Sequence, residues 1–156
     1  MTATYTEPAH SARFLGRDNV WPYFTLRSPV FNTGVEAIDN QHRMLIGRLE
    51  TIEQTVGFPS RAFACQSLDN FANLAIKHLR DERLLLEQVN YPELEELQSE
   101  HEWRLIELER ICEEFRRGDT EHLPDVIEAL WQWTIEHIVE SDSRYTPFVS
   151  PLAACA

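Results

Sequence analysis

At 156 residues, with 43% apolar side chains and 26 acidic against 14 basic groups, the chain carries a formal charge of −12 and is expected to form one soluble domain with a single core. Five Gly and eight Pro are too few for a turn-rich all-β chain. The negative balance argues against nucleic acid and anionic membrane surfaces as partners, because both are bound largely through Lys and Arg. No run approaches the roughly 18 apolar residues of a membrane span. The start of the chain lacks the basic and apolar segments of a secretory signal, so the cytoplasm is the expected location. Cys65, Cys112 and Cys155 are odd in number and widely spaced, which suits free thiols in a reducing compartment.

Residues 1–33 hold Pro8, Pro22 and Pro29 among scattered aromatics without a sustained period, and are expected to form a partly irregular N-terminal arm. From Gly34 the pattern turns helical, with Ile38, His42, Leu45, Leu49, Ile52 and Val56 at steps of four and three. Gly57-Phe58-Pro59 ends this first helix, and Ser60 is placed to cap the second. The second stripe runs Leu68, Phe71, Ala75, His78, Glu82, Leu85 and Val89. Asn90-Tyr91-Pro92 breaks it. A third stripe follows as Leu94, Leu97, His101, Leu105, Leu108, Cys112 and Phe115, stopped near Gly118. Pro124 opens a fourth, with Ile127, Leu130, Thr134, His137, Ser141 and Tyr145, before Pro147 and Pro151 are expected to end regular structure. Short connections force neighbouring helices to run antiparallel, so the expected fold is an all-α, up-down-up-down four-helix bundle over residues 34–147, with a tail at 148–156.

A lone His on an apolar face is ordinarily a core residue with its own hydrogen bonds. Here each of four helices places one His in its inward stripe: His42, His78, His101 and His137. Glu82 follows His78 by one turn on the same face. Burying these groups unpaired would cost several kcal/mol each, on the order of a lost hydrogen bond or more, and a metal satisfies them together. Asp142 lies five residues after His137, and in a regular α-helix it would point roughly 140° away. A local π-type turn between His137 and Asp142 is therefore expected if Asp142 joins the site. Imidazole with carboxylate suits iron, manganese or zinc, and two carboxylates among four His suit two metals better than one. His10 and His122 fall in the arm and a loop and are left out. Trp103, Trp131 and Trp133 are expected to pack between helices, and Glu93, Glu95, Glu96, Glu100 and Glu102 to form a solvated face.

Several segments together resemble the hemerythrin family, in particular its bacterial members: Gly34 through His42, His78-Leu79-Arg80-Asp81-Glu82, Tyr91-Pro92 leading to Ser99-Glu100-His101, and His137 through Asp142 followed by Tyr145. The resemblance implies two non-haem irons that bind dioxygen reversibly. Glu82 and Asp142 would bridge them, with His42 and His78 on the oxygen-binding iron and His101 and His137 on the other. The family pattern places a further His four residues before His101, where this chain has Leu97. The consequences left open are a carrier with altered affinity, a weakly held second metal, or a di-iron oxidase or peroxidase acting at the opened position. A sensing role would require a separate redox or output protein.

Overall fold

The computed structural model describes residues 32–54, 60–117 and 123–153. Four rods form a closed antiparallel ring: α1 (Glu36–Gln54), α2 (Arg61–Gln88), α3 (Leu94–Arg117) and a composite fourth rod. That fourth rod consists of α4 (Leu123–Glu136), a π-helical segment (His137–Asp142) and α5 (Ser143–Ala153). Sequential rods pack against one another, and α1 also packs against α4, which closes the bundle. The expected arm lies almost wholly outside the described residues, as do Val56, His122 and Cys155. No helix among the described residues is long and apolar enough to cross a membrane.

The helix ends follow from local chemistry. Thr33 donates from its backbone N–H and its hydroxyl to Asp39 at 2.7 and 2.8 Å, which ties the entry of α1 to its first turn beside Gly34 at φ 82°. Ser60 Oγ accepts from Phe63 N–H and caps α2. Asn90 adopts φ 51°, the left-handed conformation that closes a helix. Its N–H bonds to Glu87 C=O and that of Tyr91 to Leu86 C=O, the paired pattern of a Schellman end, with Tyr91 and Leu86 packed together.

Two apolar clusters fill the bundle. The larger includes Leu45, Leu49, Leu68, Phe71, Leu108, Phe115, Leu130 and Trp133; the smaller holds Leu86, Tyr91, Leu97, Tyr145 and Val149. Along α3, His101 lies between Leu97 of the small cluster and Leu108 of the large one. The polar residues of each inward stripe thus form one layer between two dry ones. Trp133 Nε1–H donates to Arg104 C=O at 2.9 Å and Arg104 donates back to Trp133 C=O at 3.3 Å, locking α3 to the fourth rod just below that layer.

Two expectations are corrected. Helix α5 continues past Pro147 and Pro151 to Ala153. Each proline removes one N–H, but Tyr145 and Val149 lie one turn apart and are both fully buried, and their packing holds the helix together across the break. Trp103 is 41% exposed, unlike the buried Trp131 and Trp133, because it stands two positions after His101 and so off the inward stripe.

Candidate metal centre

All six sequence-predicted donors are buried and meet in the polar layer. His42, His78, Glu82 and His137 are 0% exposed, Asp142 1% and His101 5%. Ligand atoms of His78, Glu82, His137 and Asp142 all lie within 4.8 Å of one another. His137 Nε2 is the hub, 3.0 Å from His78 Nε2 and 3.4 Å from both Glu82 Oε2 and Asp142 Oδ1. His42 joins through Asp142, with Nε2 to Oδ2 at 2.6 Å, and His101 through Glu82, with Nε2 to Oε2 at 2.9 Å.

Asp142 reaches the layer because the fourth rod widens at the expected place. His137–Asp142 is a π-helical turn, in which residues five apart stack on one face as residues four apart do in an α-helix. Ser143 Oγ donates to Val139 C=O at 2.6 Å and Thr146 Oγ1 to Asp142 C=O at 2.9 Å, so hydroxyls supplement the backbone bonding around the widened turn.

The donors converge, but the carboxylates are left short of well-oriented hydrogen bonds. Both Glu82 oxygens, both Asp142 oxygens and His101 Nε2 have no properly oriented hydrogen-bond partner among the described residues. Groups this deeply buried are almost always paired in native proteins. Aligned lone pairs on imidazole and carboxylate are the chemistry that a cation would satisfy, and the set fits iron, manganese or zinc.

The electrostatics point the same way. Burial holds His78 well below the usual histidine range against the pull of Glu82, and brings His137 down to about 4. Both rings are therefore neutral near pH 7, with lone pairs to offer. Burial acts to raise Glu82, but His137 and His101 outweigh it and hold the carboxyl well below its ordinary value. Burial and the neighbouring Glu82 charge push Asp142 well above its own. The two carboxyls are pushed in opposite directions, as expected for two acids sharing a dry site. Burial, then the charges of Asp142 and Glu82, raise the Tyr145 phenol as well.

Sequence reasoning missed Gln41, whose position beside His42 carries no periodic signal for a link to α2. Its Nε2 donates to Asp81 at 2.7 Å, which turns Oε1 toward His78 Nδ1 at 3.0 Å. His78 must then carry its proton on Nδ1 and present the Nε2 lone pair to the centre. Lys77 pairs with Asp81 at the exposed end. Gln41→Leu is expected to weaken metal affinity roughly 10- to 100-fold while leaving the fold intact. Competition against a chelator of known affinity checks this, with circular dichroism as the control.

Comparison with known proteins gives a consistent answer. The description "Hemerythrin HHE cation binding domain" matches residues 33–149. The bacteriohemerythrin of Methylococcus capsulatus (Bath) is 22% identical over 120 residues, covering 77% of this chain and 92% of that protein. The bacteriohemerythrin of Stenotrophomonas maltophilia is 27% identical over 118 residues, covering 73% and 74% respectively. A crystal structure of wild-type hemerythrin superposes with a TM-score of 0.73 at 21% identity, over 81% of this chain and 98% of that one. With its fold, its buried donor layer and this match across most of its length, the chain belongs to the hemerythrin HHE cation-binding family.

Proposed function

We propose that this protein is a non-haem di-iron protein that binds dioxygen for storage, delivery or sensing. The observation that carries the proposal is the layer of six buried donors from four rods, with carboxylate oxygens that make no well-oriented hydrogen bond among the described residues. His42 and His78 would hold one iron, His101 and His137 the other, and Glu82 and Asp142 would bridge. The iron pair, when bound, supplies the electrons that reversible dioxygen binding requires. The chain's own part is to fix the separation of the ions, offset their charge and exclude bulk water with the apolar layers on both sides. A cation bound beside Asp142 would favour its charged form, against the preference for the neutral form that burial and Glu82 create. Cys65 and Cys112 are free thiols, which suits a cytoplasmic setting.

Protein produced with ample iron is expected to hold two irons per chain and to show an optical band that appears with air and fades on deoxygenation. Fewer than one iron per chain, with no oxygen-dependent band, defeats the proposal. A second reading, a di-iron oxidase or peroxidase, draws on Leu97 at the position where the family resemblance calls for a His. Sustained turnover of peroxide with a reducing dye would favour it over a carrier.

A further inference from the structure

Among the described residues Arg104 is the only Arg or Lys that is buried, at 6% exposed. It follows His101 by three residues on α3, so the two share the inward face of that helix. Its Nη1 donates to Trp133 C=O at 3.3 Å, and Trp133 stands one turn before His137 with the two rings 6.0 Å apart. The side chain thus crosses from the rod that carries His101 to the rod that carries His137, next to the metal layer.

Packing does not explain a charge in this place. No acid among the described residues lies within ion-pair distance of the guanidinium, and its Nε has no hydrogen-bond partner there. A neutral side chain would fill the space without the desolvation that an unpaired buried charge costs. The Trp133 indole bonds to the backbone carbonyl of residue 104, so that tie between the rods does not depend on the guanidinium. The charge is felt in the metal layer. Burial is the main cause that lowers His137, and Arg104 pushes the same way; burial and Glu82 raise Asp142, and Arg104 opposes them. Half-buried Glu107, one turn along α3, also feels Arg104, but burial raises its carboxyl and Glu136 adds to the rise, which weakens it as a counterion.

On this basis, and resting on the di-iron reading above, we propose that Arg104 is a positioning residue for charge: its guanidinium sets a fixed positive charge beside the His101 and His137 side of the centre and holds the iron pair toward its ferrous form. Two carboxylates do not offset two ferrous ions, so the loaded centre is itself positive, and a further positive charge nearby resists the loss of another electron. The couple concerned is one electron leaving one iron. Arg104 keeps its proton throughout, and no bond to it forms or breaks.

The test loads wild type, Arg104→Met, Arg104→Gln and Arg104→Lys with ferrous iron under anaerobic conditions, measures iron content, and titrates each with redox mediators while recording optical spectra. Methionine keeps the apolar stem without the charge, glutamine keeps a donor without the charge, and lysine keeps the charge without the planar fork. At a fixed potential the ferric-to-ferrous ratio is expected to rise about tenfold in Arg104→Met and Arg104→Gln, a fall in midpoint of about 59 mV for one electron. Arg104→Lys should stay nearer to wild type than to Arg104→Met. A merely structural arginine would not sort the variants by charge. Midpoints that do not fall in the two neutral variants, or a lysine variant that falls with them, overturn the Arg104 assignment and leave the di-iron reading standing. Less than one iron per wild-type chain overturns both.

Discussion

Glu82→Gln is expected to abolish iron loading while leaving the bundle folded. Glu82 is fully buried on α2 and lies 2.9 Å from His101 Nε2 and 3.4 Å from His137 Nε2, so it joins α2 to both α3 and the fourth rod. Glutamine keeps its shape and can still hydrogen-bond to these rings. It removes the negative charge and one of the two oxygens, and an amide is a poor bridge between cations. Metal binding to a folded site adds directly to stability, about 4 kcal/mol at a thousandfold excess over the dissociation constant. For a chain of this size that is roughly 10 °C in melting temperature. Wild type should show such a rise on ferrous loading and Glu82→Gln none. Glu96→Gln, on the exposed face of α3, should load as wild type does. Retention of two irons by Glu82→Gln would remove Glu82 from the centre.

How much of this was legible in the sequence depended on whether a residue's role was periodic. His42, His78, His101 and His137 each fall in a stripe of three- and four-residue steps with Leu, Ile and Phe, and burial follows such a stripe almost automatically. Asp142 broke the period, and that misfit was informative: an acid one residue out of register beside a buried His requires a widened turn, and the fourth rod has one at His137–Asp142. Gln41 was invisible by the same logic. It lies on the flank of α1, 8% exposed, and its partner Asp81 is forty residues away on α2. Only the packing of the two rods brings them together.

The prolines at 147 and 151 show where a local rule yields to tertiary structure. Propensity places a helix end at Pro147, at a cost of about 3 kcal/mol for continuing. Burying Tyr145 and Val149 in the small cluster contributes a comparable amount, about 1.5–3 kcal/mol per large apolar side chain. No pattern along the chain reveals in advance that Leu86 and Tyr91, from the end of α2, will be there to receive them. The same cluster sets Leu97 beside Tyr145, a relationship between rods that spacing within one helix does not express.

The metal-free protein should lose stability steeply as pH falls, and Asp142→Asn should steepen that loss. His137 titrates at about 4 in the folded chain and near 6.5 when unfolded. Between those values the unfolded chain binds the proton and the folded chain does not, so lowering the pH favours unfolding. At about 1.36 kcal/mol for each pH unit between the two values, His137 alone removes about 3 kcal/mol across the window. His78, also depressed by burial, acts in the same direction. Glu82 adds to the loss below its unfolded value, because its depressed carboxylate must be protonated as the pH drops further. Asp142 has the opposite sign. Its folded value is raised, so its contribution is full below the unfolded value near 3.8 and is lost as the pH rises through the folded one. Near pH 7 Asp142 therefore costs stability, and on acidification it partly offsets the histidines. Asparagine removes this titration while keeping the size. In the presence of a chelator, Asp142→Asn should have a higher urea midpoint than wild type at about pH 7. The advantage should shrink toward about pH 4.5, with both proteins weakening on the way. Midpoints that stay flat over that range in both proteins would mean that the buried rings already carry protons or reach solvent, and the neutral donor layer on which metal binding depends would not exist.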